Sequence, residues 1–228
     1  MRWWKKLGLL VVAMALVACG NADVDAAKVA SEGATAFESV NNFHFKLTVS
    51  EGEAAPLGDI IIIDADGDSI RPDKIQAKIK AKLAGAPIAV NINGIIIGAD
   101  AWITPNPFNP TAFEKLEDTG GLETFSPAKG ISDVLRGLKT PTFVEEAEID
   151  GTATYHISGE VDAQSVSALT GGVAEAGTIK LDLWIGKDDK LLRQLVAVGR
   201  LVSTEKETIK RTLIVSKFNQ TLTIEPPQ

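Results

Sequence analysis

The chain has 228 residues, is 45% hydrophobic and 23% charged, and carries a net charge of −7. That length supports one large domain or two small ones with a sizeable core, and the acidic balance excludes binding of nucleic acid or an anionic surface by bulk electrostatics. A single cysteine excludes an internal disulfide, and two histidines, His44 and His156, leave little for metal or nucleophile chemistry.

The first element is a short apolar segment. Lys5 and Lys6 precede the uncharged run Leu7–Leu16, and Leu16-Val17-Ala18-Cys19-Gly20 closes it with the only cysteine. This is the pattern of a secretory signal, and it is short for a spanning helix, which needs roughly 20 apolar residues. Its ending resembles the lipobox of bacterial lipoproteins. That resemblance implies cleavage before Cys19, a diacylglyceryl group on the Cys19 thiol and an acylated new amino terminus. Residues 1–18 are then a signal peptide, 19–23 the acylated cysteine and a short tether, and 24–228 a single domain. The signal carries Arg2, Lys5 and Lys6 and no acidic residue, so the mature chain has a net charge of −10. Two or three acyl chains make a stable anchor where one does not.

Residues 24–40 read as a helix, with Val29, Ala30, Gly33, Phe37 and Val40 near a 3.6-residue period and Asp23 and Asp25 at its start. The pattern then changes to period two. Phe43–Val49 alternates apolar and polar residues. Gly58–Ala65 contains Ile60–Ile63, an apolar block on both faces, and Asp64-Ala65-Asp66-Gly67-Asp68 reads as a turn-rich exit. Asp73–Leu83 is the cleanest strand, with Ile75, Ala77, Ile79, Ala81 and Leu83 on one face and lysines and Gln76 on the other. Ile88–Ile97 and Ala101–Thr104 follow. Residues 105–139 hold four prolines and Gly120-Gly121, and read as a helical excursion over the sheet, a candidate lid, with helices near Thr111–Glu117 and Pro127–Leu138. Pro127 suits a first helical position, with Ser126 as its cap. Strands resume at Thr142–Ile149 and Thr152–Glu160, joined by an Asp150-Gly151 turn. A short helix at Ala163–Leu169 follows, then strands at Thr178–Ile185, Lys190–Ser203 and Thr208–Phe218, and a last edge strand at Thr221–Ile224.

About eleven strands without strand–helix alternation predict an α+β fold: a strongly bent antiparallel sheet, an open half-barrel, with helices on its concave face. Whether the helices fill that face or leave a pocket is not a property of the periodicity. Asp64–Asp68 lacks the spaced ligands and terminal Glu of a calcium loop. His44 and His156 read as solvated or hydrogen-bonded surface histidines. No nucleophile elbow, zinc motif, phosphate loop or carboxylate pair is present, so neither enzyme activity, cofactor nor metal is implied.

Several features recur in order: the lipobox at Cys19, the N-terminal helix, Arg71-Pro72-Asp73-Lys74, the hairpin from Gly94 to Trp102, the segment from Gly151-Thr152 through Tyr155-His156 to Gly159, and Leu183-Trp184-Ile185 followed by Leu191-Leu192-Arg193. In this order and spacing the mature chain resembles the LppX/LprAFG-type lipoproteins of mycobacteria and their relatives. The resemblance implies an unclosed β-barrel with helices plugging its mouth, like that of lipoprotein localisation factors. It further implies a hydrophobic cavity for acyl chains and a role in moving lipids or glycolipids outward from the cytoplasmic membrane. The implied location is the extracytoplasmic face of the cell membrane, with a membrane lipid exporter as a possible partner and no nucleic acid. Candidate cavity residues are the inward strand positions Ile75, Ile79, Leu83, Val90, Ile92, Ile179, Leu181 and Leu183. Trp102, Phe113, Leu135 and Phe143 join them near the helical excursion. The competing reading is an envelope scaffold or sensor with a solid-packed half-barrel. The small residues Ala77, Ala81 and Ala89 lean toward the carrier.

Overall fold

The structure, a computed structural model, describes residues 24–227 except 58–59, 87, 105–108, 110, 120–121, 171 and 173. Cys19, the signal segment and the tether lie outside the described residues. The chain opens with α1 (Ala26–Glu38), whose N-cap Asp25 accepts a hydrogen bond from the Lys28 N–H at 3.0 Å. Ala26, Val29, Ala30, Gly33, Ala34 and Phe37 form its buried stripe.

Eleven strands form one antiparallel sheet. The first group is β1 (Asn42–Ser50), β2 (Ile60–Ile70), β3 (Lys74–Leu83), β4 (Ala89–Ile97), β5 (Asp100–Ile103) and β6 (Glu114–Lys115). After α2 (Pro127–Gly137) come β7 (Lys139–Ile149), β8 (Thr152–Asp162), β9 (Thr178–Gly186), β10 (Leu192–Val198) and β11 (Lys210–Ser216). Their order in the sheet is β6-β5-β4-β3-β2-β1-β11-β10-β9-β8-β7. Two meanders thus meet along the β1–β11 pairing, and the sheet stays open, with β6 and β7 as its edges. Short 3-10 helices at Leu122–Thr124 and Ala163–Leu169 complete the elements.

Four expectations are corrected. The acidic stretch Asp64–Asp68 is the middle of β2, not a turn. Asp64 and Asp66 stand opposite Lys80 and Lys78, while His44 Nδ1 lies 2.9 Å from Asp68. These cross-strand partners offset the low strand propensity of the aspartates. The inward positions, Ala65 and Gly67, are small because β2 and β3 run close: a Cβ on Gly67 would lie 2.7 Å from Ala77 Cβ and 2.3 Å from the Gln76 carbonyl oxygen. The segment Thr111–Glu117 supplies edge strand β6 rather than a helix. Lys115 pairs with Trp102, Leu116 N–H donates to Ala101 O, and Lys115 Nζ reaches Asp100 at 2.7 Å. A helix of two turns has no such partners and is marginal alone. The strand expected over Lys190–Ser203 ends at Val198, where Gly199 takes φ +137° and turns the chain. Finally, Thr221–Ile224 is an extended tail without strand pairing. Ile224 is buried and its carbonyl accepts a hydrogen bond from Lys74 Nζ at 3.2 Å.

The helices sit inside the bend. α1 packs on α2 and touches β7 and β9, and α2 rests on β8 and the 3-10 helix Ala163–Leu169. Gly130 permits that last contact, since a Cβ there would lie 2.6 Å from Leu169 Cγ. Ser126 does not cap α2 with its side chain; its N–H donates to Ala168 O instead. Phe37 meets Phe43 and Phe218 edge-on, at 5.2 and 6.4 Å between ring centres. Arg71, in the β2–β3 turn, ties helices to sheet. Its Nε donates to Val40 O at 2.7 Å, and its Nη2 donates to Phe37 O at 3.1 Å and Ala128 O at 3.3 Å.

Candidate functional site

Residues directly opposite in adjacent strands share a face, so the register traces the concave surface strand by strand. One row runs Ile92, Ile79, Ala65, Leu47, Leu213, Leu195, Leu183, Ile157 and Phe143, each the partner of the next. Nine strands contribute, and none of the nine residues is polar. This is one continuous apolar floor, and its two halves differ in cover. Toward β7 the helices lie on it, and Ile157, Ile179, Leu181, Leu183 and Ile185 are fully buried. Toward β5 the floor is only half covered: Ile79, Val90, Ile96, Ile103, Ile60 and Ile62 keep partial exposure.

The sequence candidates therefore separate. Ile79 and Val90 line the open half, and Leu83 extends it to an exposed position. Ile75 and Ile92 are buried within it, Ile92 as the direct partner of Ile79. Ile179, Leu181 and Leu183 lie on β9, which α1 contacts, and Leu135 is a buried residue of α2. Phe143 is half-buried on edge strand β7, in an edge-on contact with Tyr155 at 6.2 Å. Phe113 is half-buried just before β6. Trp102 does not face the floor. It pairs with Ile95, which pairs with Gln76, and so shares the outer face, where Lys115 Nζ lies 5.8 Å from its ring centre.

The row next to the floor toward one end contains an unforeseen group. Val49, Arg211, Ala197, Leu181 and Gly159 are successive partners, so Arg211 stands on the concave side. It is mostly buried, and burial pushes its guanidinium pKa down. Glu205, also buried, pairs with it and accepts hydrogen bonds from Ala55 N at 2.8 Å and Leu201 N at 2.7 Å. The signal was present in the alternation of β11, where Leu213 and Val215 point inward and Arg211 must follow them. Beside Val49 a cleft of about 130 Å3 is lined by Val49, Gly52, Glu53, Ile61, Ile62, Ile63 and Lys82. The Lys82 ammonium, paired with Glu53, holds that carboxyl below the usual carboxylate range. A second, polar cleft of about 220 Å3 lies between the start of β1 and the C-terminal tail.

The two histidines lie on the outer face. His44 Nε2 is 3.4 Å from Asp66 in addition to its contact with Asp68. His156 Nε2 is 2.9 Å from Asp182, and its ring stacks on Trp184 at 4.2 Å. Among the described residues no group of three or more His, Cys, Asp or Glu side chains is placed to hold a metal ion, and no helix is long and apolar enough to cross a membrane.

The model of the LppX_LprAFG lipoprotein family matches residues 25–224. The chain belongs to this lipoprotein family. Among curated proteins, none matches. Two solved structures of the family share the open eleven-stranded architecture. LprF from Mycobacterium bovis superposes with a TM-score of 0.68 at 18% identity, covering 89% of this chain and 96% of that one. The lipoprotein LppX of Mycobacterium tuberculosis gives 0.60 at 20% identity, with 89% and 100% covered. At such identities the likeness establishes the fold, and the family match extends over nearly all of the domain.

Proposed function

We propose that the protein is anchored through an acylated Cys19 at the extracytoplasmic face of the cell membrane. There it binds the acyl chains of a lipid or glycolipid on its concave face and helps move them across the envelope. A membrane lipid exporter supplies the cargo in this reading, and no catalytic step is involved. The observation that carries it is the apolar floor crossing nine strands, fully buried toward β7 and only partly covered toward β5. Each methylene withdrawn from water onto such a floor contributes about 0.8 kcal/mol, so extraction needs no reacting group. Mass spectrometry of lipid extracted from protein purified out of membranes tests this. An acyl lipid in stoichiometric amount is expected, and its absence counts against a carrier.

A second reading, an envelope scaffold or sensor, draws on a different observation. The strand residues beneath the helices are fully buried, and the clefts of about 130 and 220 Å3 are smaller than the roughly 300–1,000 Å3 of ordinary ligand pockets. A lipid would therefore occupy the open half as a trough, or part the helices. Cys19→Ala separates anchoring from binding. The variant is expected to be released from membranes and to bind lipid in vitro, yet to load poorly in cells. Equal loading by the unanchored form would break the link between tether and trough.

A further inference from the structure

Leu83, Ile88 and Val144 are the large apolar side chains that stand exposed among the described residues, at 40%, 58% and 48%. Two of the three flank one turn, at the tip of the β3–β4 hairpin, where Leu83 N–H donates to Ile88 O at 3.3 Å. Their place in the register is specific. Val90 is the partner of Ala81 on the concave face, and Ile88 and Leu83 are the next positions of that face along the two strands. Leu83 in turn pairs with Ile60, which bridges to Leu57. The apolar floor therefore does not end at a polar rim here. It runs out to a hydrophobic tip in water. Lys78 and Lys80, on the outer side of the same strand, stand opposite Asp66 and Asp64, and Lys82 pairs with Glu53, so the outer side behind the tip is charge-balanced.

We infer that the tip of the β3–β4 hairpin is a membrane-contacting edge, with Leu83 and Ile88 entering the interfacial layer of a phospholipid bilayer. This rests on the lipid-binding reading and extends it to the route of entry. An acyl chain passes from the bilayer over Ile88 and Leu83 to the Val90–Ala81 rung and then to Ile92 and Ile79. The chemistry of the patch selects the partner. Two exposed apolar side chains that continue an apolar floor suit an interface where acyl chains lie within one side-chain length of water. A stable protein partner needs about 800 Å2 on each side, far more than a hairpin tip offers. A protein already tethered to the bilayer needs only weak further affinity to dock there.

The test uses the full chain reconstituted in phosphatidylcholine vesicles, with and without phosphatidylglycerol, carrying a self-quenched fluorescent phospholipid. The double variant Leu83→Asp/Ile88→Asp is expected to slow extraction on the order of tenfold or more. Val144→Asp, on edge strand β7, is the control and should extract at the wild-type rate. The same labelled lipid offered from dilute ethanolic solution should load wild type, Ile88→Gln and Val144→Asp alike. Ile88→Gln, at the most exposed position, carries the test should the double variant not fold. Hairpin variants that extract from vesicles as fast as wild type, or a Val144→Asp chain slowed as much as they are, overturn the inference. So does a concentration-dependent dimer abolished by the hairpin variants, which would give the tip to a second copy. A wild-type chain that takes up lipid from neither source would instead overturn the lipid-binding reading on which this one stands.

Discussion

At the scale of single residues, Glu205 is the clearest case of a charge held where burial disfavours it. Its carboxylate is shielded from water, receives two backbone N–H groups, and faces the Arg211 guanidinium on the concave side of β11. The pair closes the floor beside the cleft at Val49. Breaking one partner of such a pair leaves an uncompensated buried charge. Glu205→Gln keeps the shape and removes the charge. It should cost about 3 kcal/mol, or a melting temperature lower by roughly 6–12 °C for a domain of this size, measured by calorimetry. A drop of a degree or less would mean that water reaches Arg211. The sequence offered this residue through the alternation of β11 alone, and an arginine between apolar neighbours gives no warning that a glutamate six residues earlier folds back over it. Trp102 shows the opposite problem. Its size marks it as a cavity wall, yet one step of register puts it on the outer face.

At the scale of elements, Arg71 joins three pieces that would otherwise meet only through apolar contact. It reaches the Phe37 carbonyl at the end of α1, where a cation complements the helix dipole, the Val40 carbonyl just beyond that helix, and the Ala128 carbonyl of α2, from a turn of the sheet. Arg71→Met keeps the aliphatic stem and removes all three bonds. The expected loss is about 2–3 kcal/mol, with faster amide hydrogen exchange at the end of α1 and the start of α2 and unchanged exchange in β9. Uniform acceleration across the sheet would contradict a local tie. Elements with strong periodicity, such as β3 and α1, were legible in the sequence almost to their ends. Those that depend on distant partners were not. The aspartates of β2 resemble a turn until the lysines of β3 are placed opposite them, and Glu114–Lys115 resembles helix until the edge of β5 is available to pair with it.

At the scale of the whole molecule, the bent antiparallel sheet with enclosed helices follows from many strands and few crossovers. What alternation does not reveal is cover, because an inward isoleucine reads the same beneath a helix and beneath water. The two halves of the floor make contrasting predictions. Leu183→Ala, in the covered half, should destabilise the domain by about 2–5 kcal/mol. Ile79→Trp, in the open half, should fill the trough and lower bound lipid with little change in melting temperature. If Ile79→Trp destabilises the domain as Leu183→Ala does, the open half is core and the scaffold reading gains. The seam of the sheet has a further consequence, for how the molecule is made. β1 and β11 pair at its centre, with His44 opposite Ser216 and Ser50 opposite Lys210. The first strand of the chain is thus completed by the last, a contact of the greatest sequence separation that delays folding. Until β11 emerges during synthesis or export, the β1–β6 meander has nothing on its β1 side. The row from Ile92 to Phe143 does not exist, and an apolar surface with an unpaired edge is left exposed to aggregation.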